Sequence, residues 1–231
     1  MVHESSSQSS PSGGGTPPRD PVTEAFMALL AEKRFEDIGF AEIATRAGVS
    51  LADLRGKHAS KLDMLAAQMR EIDRAVLAGI DPDMAEEPPR ERLFDVLMRR
   101  LDALAPHKQA VRSLQRSVMC NPGLAFAVNG LAVRSMQWML TAADISASGP
   151  KGMVRAQGLA LLFVSVLREW IRDDDPGQAR TLAALDRALD SGQRWAGLLD
   201  DLCRIPQAAC GARRAFRRRR RDERGEETAA A

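Results

Sequence analysis

Four side chains that can carry positive charge, Arg55, Lys57, His58 and Lys61, fall within seven residues of SLADLRGKHASK. Guanidinium and ammonium groups at this density suit phosphate oxygens, and an arginine can also take the O6 and N7 acceptors of guanine in a bidentate pair. Catalysis is a poorer match. The three histidines, His3, His58 and His107, lack a neighbouring nucleophile or carboxylate at triad spacing, and no phosphate-cradling glycine loop follows a strand. The chain reads as a non-enzyme without a cofactor, a catalytic residue or a metal site.

The cations need an element to hold them, and the residues just before supply one. Ser50 and Asp53 stand three apart as a capping box, and Ser60 and Asp63 repeat the spacing. Two caps ten residues apart predict a helix over Leu51–Lys57, barely two turns long, held by packing rather than by its own stability. Ahead of it, Phe40–Ala47 reads as a helix closed by Gly48, which tolerates the left-handed conformation of a helix terminus. Ala44 at the helix contact, Gly48 at the turn and Leu54 on the second helix have helix-turn-helix spacing, with Ile43 and Val49 completing a small core.

The candidate DNA surface is therefore Ser50, Leu51, Ala52, Asp53, Arg55, Gly56, Lys57, His58 and Lys61. A phosphate repels Asp53 unless capping occupies it. Gly56 costs about 1 kcal/mol in a helix relative to alanine, and would let the backbone approach a phosphate. His58 reads as a half-buried packing residue. A solvated corner stays open as the alternative, because Val22–Arg70 balances seven acidic residues against seven Lys or Arg.

A chain of 231 residues with 45% hydrophobic and 28% charged content suits a soluble protein of two compact units. Apolar periodicity is helical from Val22 onward, so an all-α fold is expected. A Ser, Gly and Pro-rich stretch over 1–21 reads as a disordered arm, 22–67 as the small helical unit, 68–205 as a larger one, and 206–231 as a disordered tail. A helix over Val22–Lys33 opens the first unit. A fourth, Ser60 to about Leu77, is expected to bury Leu62, Leu65, Ala66 and Met69. Beyond Pro82, Pro88 and Pro89 come helices at Arg90–Leu104, Lys108–Cys120, Leu124–Ala143, Lys151–Arg172 and Ala179–Leu202. In the last break, DDDPG, Asp175 is expected to cap and Pro176 to take the first helical position.

These features resemble the TetR family of bacterial transcription regulators, whose DNA-binding domain has a Phe-rich first helix, a segment like AEIATRAGVS, and a Ser-Lys pair opening its fourth helix. The match covers about Val22–Ala67. Where that family commonly carries Thr-Leu-Tyr and a further aromatic, this chain carries Asp53-Leu54-Arg55 and His58. The resemblance implies a ligand-responsive repressor, a double-stranded DNA operator, and a homodimer through the last two long helices. It also implies an apolar small-molecule or lipid effector. Gln157–Trp195 is also similar to the lipid-binding accessory family of ubiquinone biosynthesis, which shares that fold and implies an isoprenoid or acyl lipid ligand without DNA.

Apolar residues that could line a pocket are Leu97, Leu101, Leu114, Met119, Met136, Trp138, Leu140, Phe163 and Trp170, with ordinary core as the competing reading. Polar convergence is poor, so a greasy ligand is expected. Leu159, Leu162, Val166 and Trp170, with Leu182, Leu185, Leu189 and Trp195, are spaced for a dimer face or for the core beneath it. Seven arginines between Arg213 and Arg221 would attract DNA or anionic lipid, or merely solubilise a tail. No stretch is apolar enough to span a membrane, no leader is visible, and three cysteines without metal spacing suit a reducing cytoplasm.

Overall fold

The computed structural model describes residues 20–192. Side chains that accept hydrogen bonds from free amides set several helix starts. Asp20 accepts from the Thr23 amide at 3.0 Å and opens α1 (Pro21–Glu32). After α2 (Phe40–Ala47), closed by Gly48 at φ 67°, Ser50 opens α3 (Leu51–Lys57) and Ser60 opens α4 (Lys61–Ala78). Then follow α5 (Pro89–Leu104), α6 (Lys108–Cys120), α7 (Pro122–Ala142) with Asn121 as its cap, α8 (Gly149–Arg172), and α9, described over 179–192. Among the described residues every regular element is helical. Asp20 and Pro21, assigned to the arm from composition, are the cap and first residue of α1.

Two apolar clusters divide these helices. Val22, Phe26, Leu30, Ile43, Leu54 and Met64 form the first, closed from below by Ala110 of α6 and Leu124 of α7. Phe26 and Phe35 meet edge to face in it, with ring centroids 6.1 Å apart. The second gathers α5, α7, α8 and α9 around Leu97, Leu101, Met139, Phe163 and Leu185. Helix α4 serves both, through Met64 and Leu65 at one end and Ile72 and Val76 at the other. Its buried face is Met64, Leu65, Gln68, Ile72, Asp73 and Val76. The expected Leu62, Ala66 and Met69 are only half-buried, because serving two clusters rotates the stripe by part of a turn.

The DDDPG break works differently from expectation. Pro176 and Gly177 form a turn, and α9 begins at 179. The inner cap is Asp173, which accepts from the Thr181 amide at 2.9 Å and hydroxyl at 2.7 Å, while Asp175 accepts from the Ala179 amide at 3.4 Å. These bonds hold the Asp173 carboxyl below its ordinary pKa, the Thr181 hydroxyl contributing most. Helix α6 ties down the other side of this junction: Lys108 donates to the Asp173 carbonyl and Arg112 to that of Ile171, both at 2.6 Å.

At the start of α8 the chain passes against itself, so that a Cβ on Gly152 would lie 2.1 Å from the Ala147 carbonyl carbon. Gly152→Ala should therefore lower stability by about 1–3 kcal/mol, seen as a reduced urea midpoint. Gly56→Ala is the control, since a Cβ there meets nothing within 4 Å.

Candidate nucleic-acid interface

The α3 segment joins its cap, its cations and its clamps in a few residues. Ser50 Oγ accepts from the Asp53 amide at 3.0 Å, and Asp53 Oδ2 receives the Ser50 hydroxyl at 2.6 Å and its amide at 3.4 Å. Those bonds from Ser50 hold the Asp53 carboxyl below its ordinary pKa. Capping thus ties the ionised Asp53 carboxylate to Ser50 at the start of the helix. Leu54 is buried and fixes the rotation of α3, which leaves Leu51, Ala52, Asp53, Arg55, Gly56 and Lys57 exposed on the other faces.

Arg55 lies in solvent with only a 3.3 Å bond from Nη1 to the Ala59 carbonyl. Lys57, 52% exposed, has its ammonium 3.5 Å from Asp20 Oδ1. Both can turn to a polyanion at little cost, because exposed pairs of this kind contribute about 1 kcal/mol or less.

His58 and Lys61 correct the expected surface. His58 is 8% exposed, with Nε2 2.9 Å from Asp20 Oδ2 and Nδ1 3.4 Å from Asp63 Oδ2. It packs as an anchor between α1, α3 and α4, more buried than a half-buried residue. Lys61 points inward too: its ammonium donates to the carbonyls of Phe35 at 2.7 Å and Ile38 at 2.9 Å, and lies 4.8 Å from the Phe35 ring centroid. Burial pushes its pKa down. The reason is geometric: the first turn of α4 faces the α1–α2 connection, whose free carbonyls need a donor.

Asp20 is the residue that sequence patterning passed over. Burial raises its pKa, but the His58 ring and the hydroxyl and amide of Thr23 outweigh that and bring it to about 2 from the ordinary 3.8. A carboxyl depressed on folding contributes stability above its unfolded pKa and loses it as pH falls through the folded value. The stability gap between wild type and Asp20→Asn should therefore close as the pH falls from about 4 to 2. Urea unfolding across that range measures it.

The residues expected around a ligand fall in different surroundings. Leu97, Leu101, Phe163 and Trp170 are buried core, and so are Met136 and Leu140. Leu114 packs instead on the first cluster. Met119 is 76% exposed and Trp138 58% exposed. Trp138 shares the outer face of α7 with Phe126, Gly130 and Arg134, and Met119 lies off the α6 stripe marked by Ala110 and Ser117. A cleft of about 250 Å³ between α1 and the start of α6, walled by Met27, Ala28, Ala31 and Pro106, contains none of these residues. The arginine tail and Trp195 lie outside the described residues.

On α8 and α9, the positions weighed for a dimer face divide. Leu159, Val166, Trp170, Leu185 and Leu189 are core, Leu162 is half-buried and Leu182 is exposed. The apolar residues that α8 leaves outside are Met153, Val154, Leu161 and Val164. No helix among the described residues is long and apolar enough to cross a membrane.

Neither a protein-family model nor a curated protein matches the chain. Solved structures do. A TetR transcriptional regulator from Nitrosomonas europaea ATCC 19718 aligns with a TM-score of 0.59 and 22% identity, over 75% of this chain and 97% of that one. A TetR transcriptional regulator from Rhodococcus sp. RHA1 aligns with a TM-score of 0.54 and 22% identity, over 74% of this chain and 93% of that one. With a capped helix-turn-helix at one end and a larger helical unit at the other, this chain has the fold of the TetR transcriptional regulators.

Proposed function

We propose that the chain is a DNA-binding transcriptional repressor of the TetR type, residing in the cytoplasm and acting without catalysis. The observation that carries this reading is the α2–α3 corner, where Leu54 and His58 lock a two-turn helix into place while Arg55 and Lys57 stay outside. Its DNA surface is Ser50, Leu51, Ala52, Arg55, Gly56 and Lys57, with the α3 amides and cations on phosphates and Arg55 available to a guanine edge. Asp53, His58 and Lys61 position that surface rather than touch DNA.

A single short helix reads few base pairs, so the reading includes a homodimer. Val154, Leu161 and Val164 of α8 and Leu182 of α9 offer an exposed apolar strip for a second copy. Pairing there would set two α3 helices about one DNA turn, roughly 34 Å, apart. An effector held among α5–α9 would change that spacing and release the operator.

The test is fluorescence anisotropy on DNA from around the chain's own gene against unrelated DNA, over a range of salt. The wild type should prefer the former, and Arg55→Ala with Lys57→Ala should weaken it about tenfold or more, with a salt slope smaller by about two to four because the dimer loses four cations. Equal binding to both DNAs, dependent only on Arg213–Arg221, would sink the reading. It would then favour the lipid accessory alternative.

A further inference from the structure

The core of the second unit holds a charge that apolar patterning hides. Arg100 of α5 is 3% exposed, and its Nη1 bonds to Oδ1 of Asp73 on α4. Ser135 of α7 donates its hydroxyl to the same oxygen at 2.6 Å. The guanidinium lies 5.7 Å from the Phe163 ring centroid on α8, with Nη1 4.0 Å from Met139 Sδ. Four helices therefore converge on one arginine. Its Nε is buried and has no acceptor among the described residues. Arginine offers five N–H donors, and a buried donor left without a partner is costly.

We propose that Arg100 Nε is the polar anchor of a small-molecule site in this core, taking an uncharged, mainly apolar compound with one oxygen acceptor, such as a ketone or an ester. Charge decides the class. Asp73 already balances Arg100, so a carboxylate ligand would bring an uncompensated negative charge into a buried site, whereas a neutral oxygen completes the donor set and adds no charge. The apolar body belongs against Met139 and Phe163, which touch the guanidinium, with Leu97 and Met136 buried in the same cluster. The two methionines, unbranched and soft, can shift to admit it.

This site deepens the effector reading above by naming the ligand class, and it rests on α5–α9 being the effector unit. Its test needs no DNA. Full-length protein labelled with ¹³C at the methionine methyls is titrated with acetophenone, ethylbenzene and benzoate, the Met139 signal being assigned through Met139→Leu. Acetophenone should shift Met139 saturably and bind about tenfold tighter than ethylbenzene. Arg100→Lys keeps a cation opposite Asp73 but lacks the Nε–H, so acetophenone should fall to near parity with ethylbenzene.

The paired variant Arg100→Met with Asp73→Asn removes donor and charges together. It should show the same parity, which keeps the comparison available if the lysine variant folds poorly. A wild type without a saturable Met139 shift, benzoate as the tightest ligand, or an acetophenone preference that survives both variants would each overturn the site. Failure of the operator experiment would sink the regulator and leave this binding result standing.

Discussion

Asp73→Ala is expected to cost about 3–5 kcal/mol of unfolding free energy, the loss typical when one partner of a buried ion pair is removed. The variant leaves the Arg100 guanidinium in the core without its carboxylate and removes the acceptor of the Ser135 hydroxyl. Burial already pushes the Arg100 pKa down, and Asp73 opposes that pull. Without Asp73 the group must either stay charged in a poor environment or draw water into the packing of Met139 and Phe163. Removing both charges together should be far milder, because apolar residues of similar volume fill such sites without desolvating an ion. Asp73→Leu with Arg100→Met should therefore recover most of the lost urea midpoint. If the single and double variants lose the same stability, the pair is not a coupled charge site.

The same pair marks a limit of sequence reading. Asp73 and Arg100 occupy the buried stripes of α4 and α5, beside Ile72 and Leu101. Opposite charges on the apolar faces of two consecutive helices were a usable signal, although sequence does not fix which face turns inward. The helix-turn-helix was legible because its determinants are local: Gly48, Ser50, Asp53 and Leu54 act within a few residues of one another. Asp20 was not legible. It reaches His58 across 38 positions from a stretch whose composition reads as disorder. Met119 and Trp138 failed for another reason, since apolar character permits burial without requiring it, and folded surfaces carry much apolar area. The orientation of Lys61 depended on carbonyls in the α1–α2 connection, which only the packed chain brings to it.

Leu161→Glu is expected to turn the proposed dimer into a folded monomer and to weaken operator binding by about 100-fold or more. The protomer should tolerate the change, because Leu161 is 61% exposed on α8 and the residues that hold α8 in the core are Leu159, Phe163, Val166 and Trp170. A carboxylate in a paired interface has no such freedom: twofold pairing introduces it twice, and both charges would lose water without gaining a partner. Val154 and Val164 share the exposure, at 52% and 39%, so Val154→Glu should behave alike. The large effect on DNA follows from linkage, since two half-sites bound by one rigid dimer convert the second contact into an intramolecular event. Sedimentation velocity and circular dichroism together decide the matter. A variant that is helical, monomeric and weak on DNA supports pairing through α8, whereas one that stays dimeric moves the interface to another face, such as the side of α7 that exposes Phe126 and Trp138.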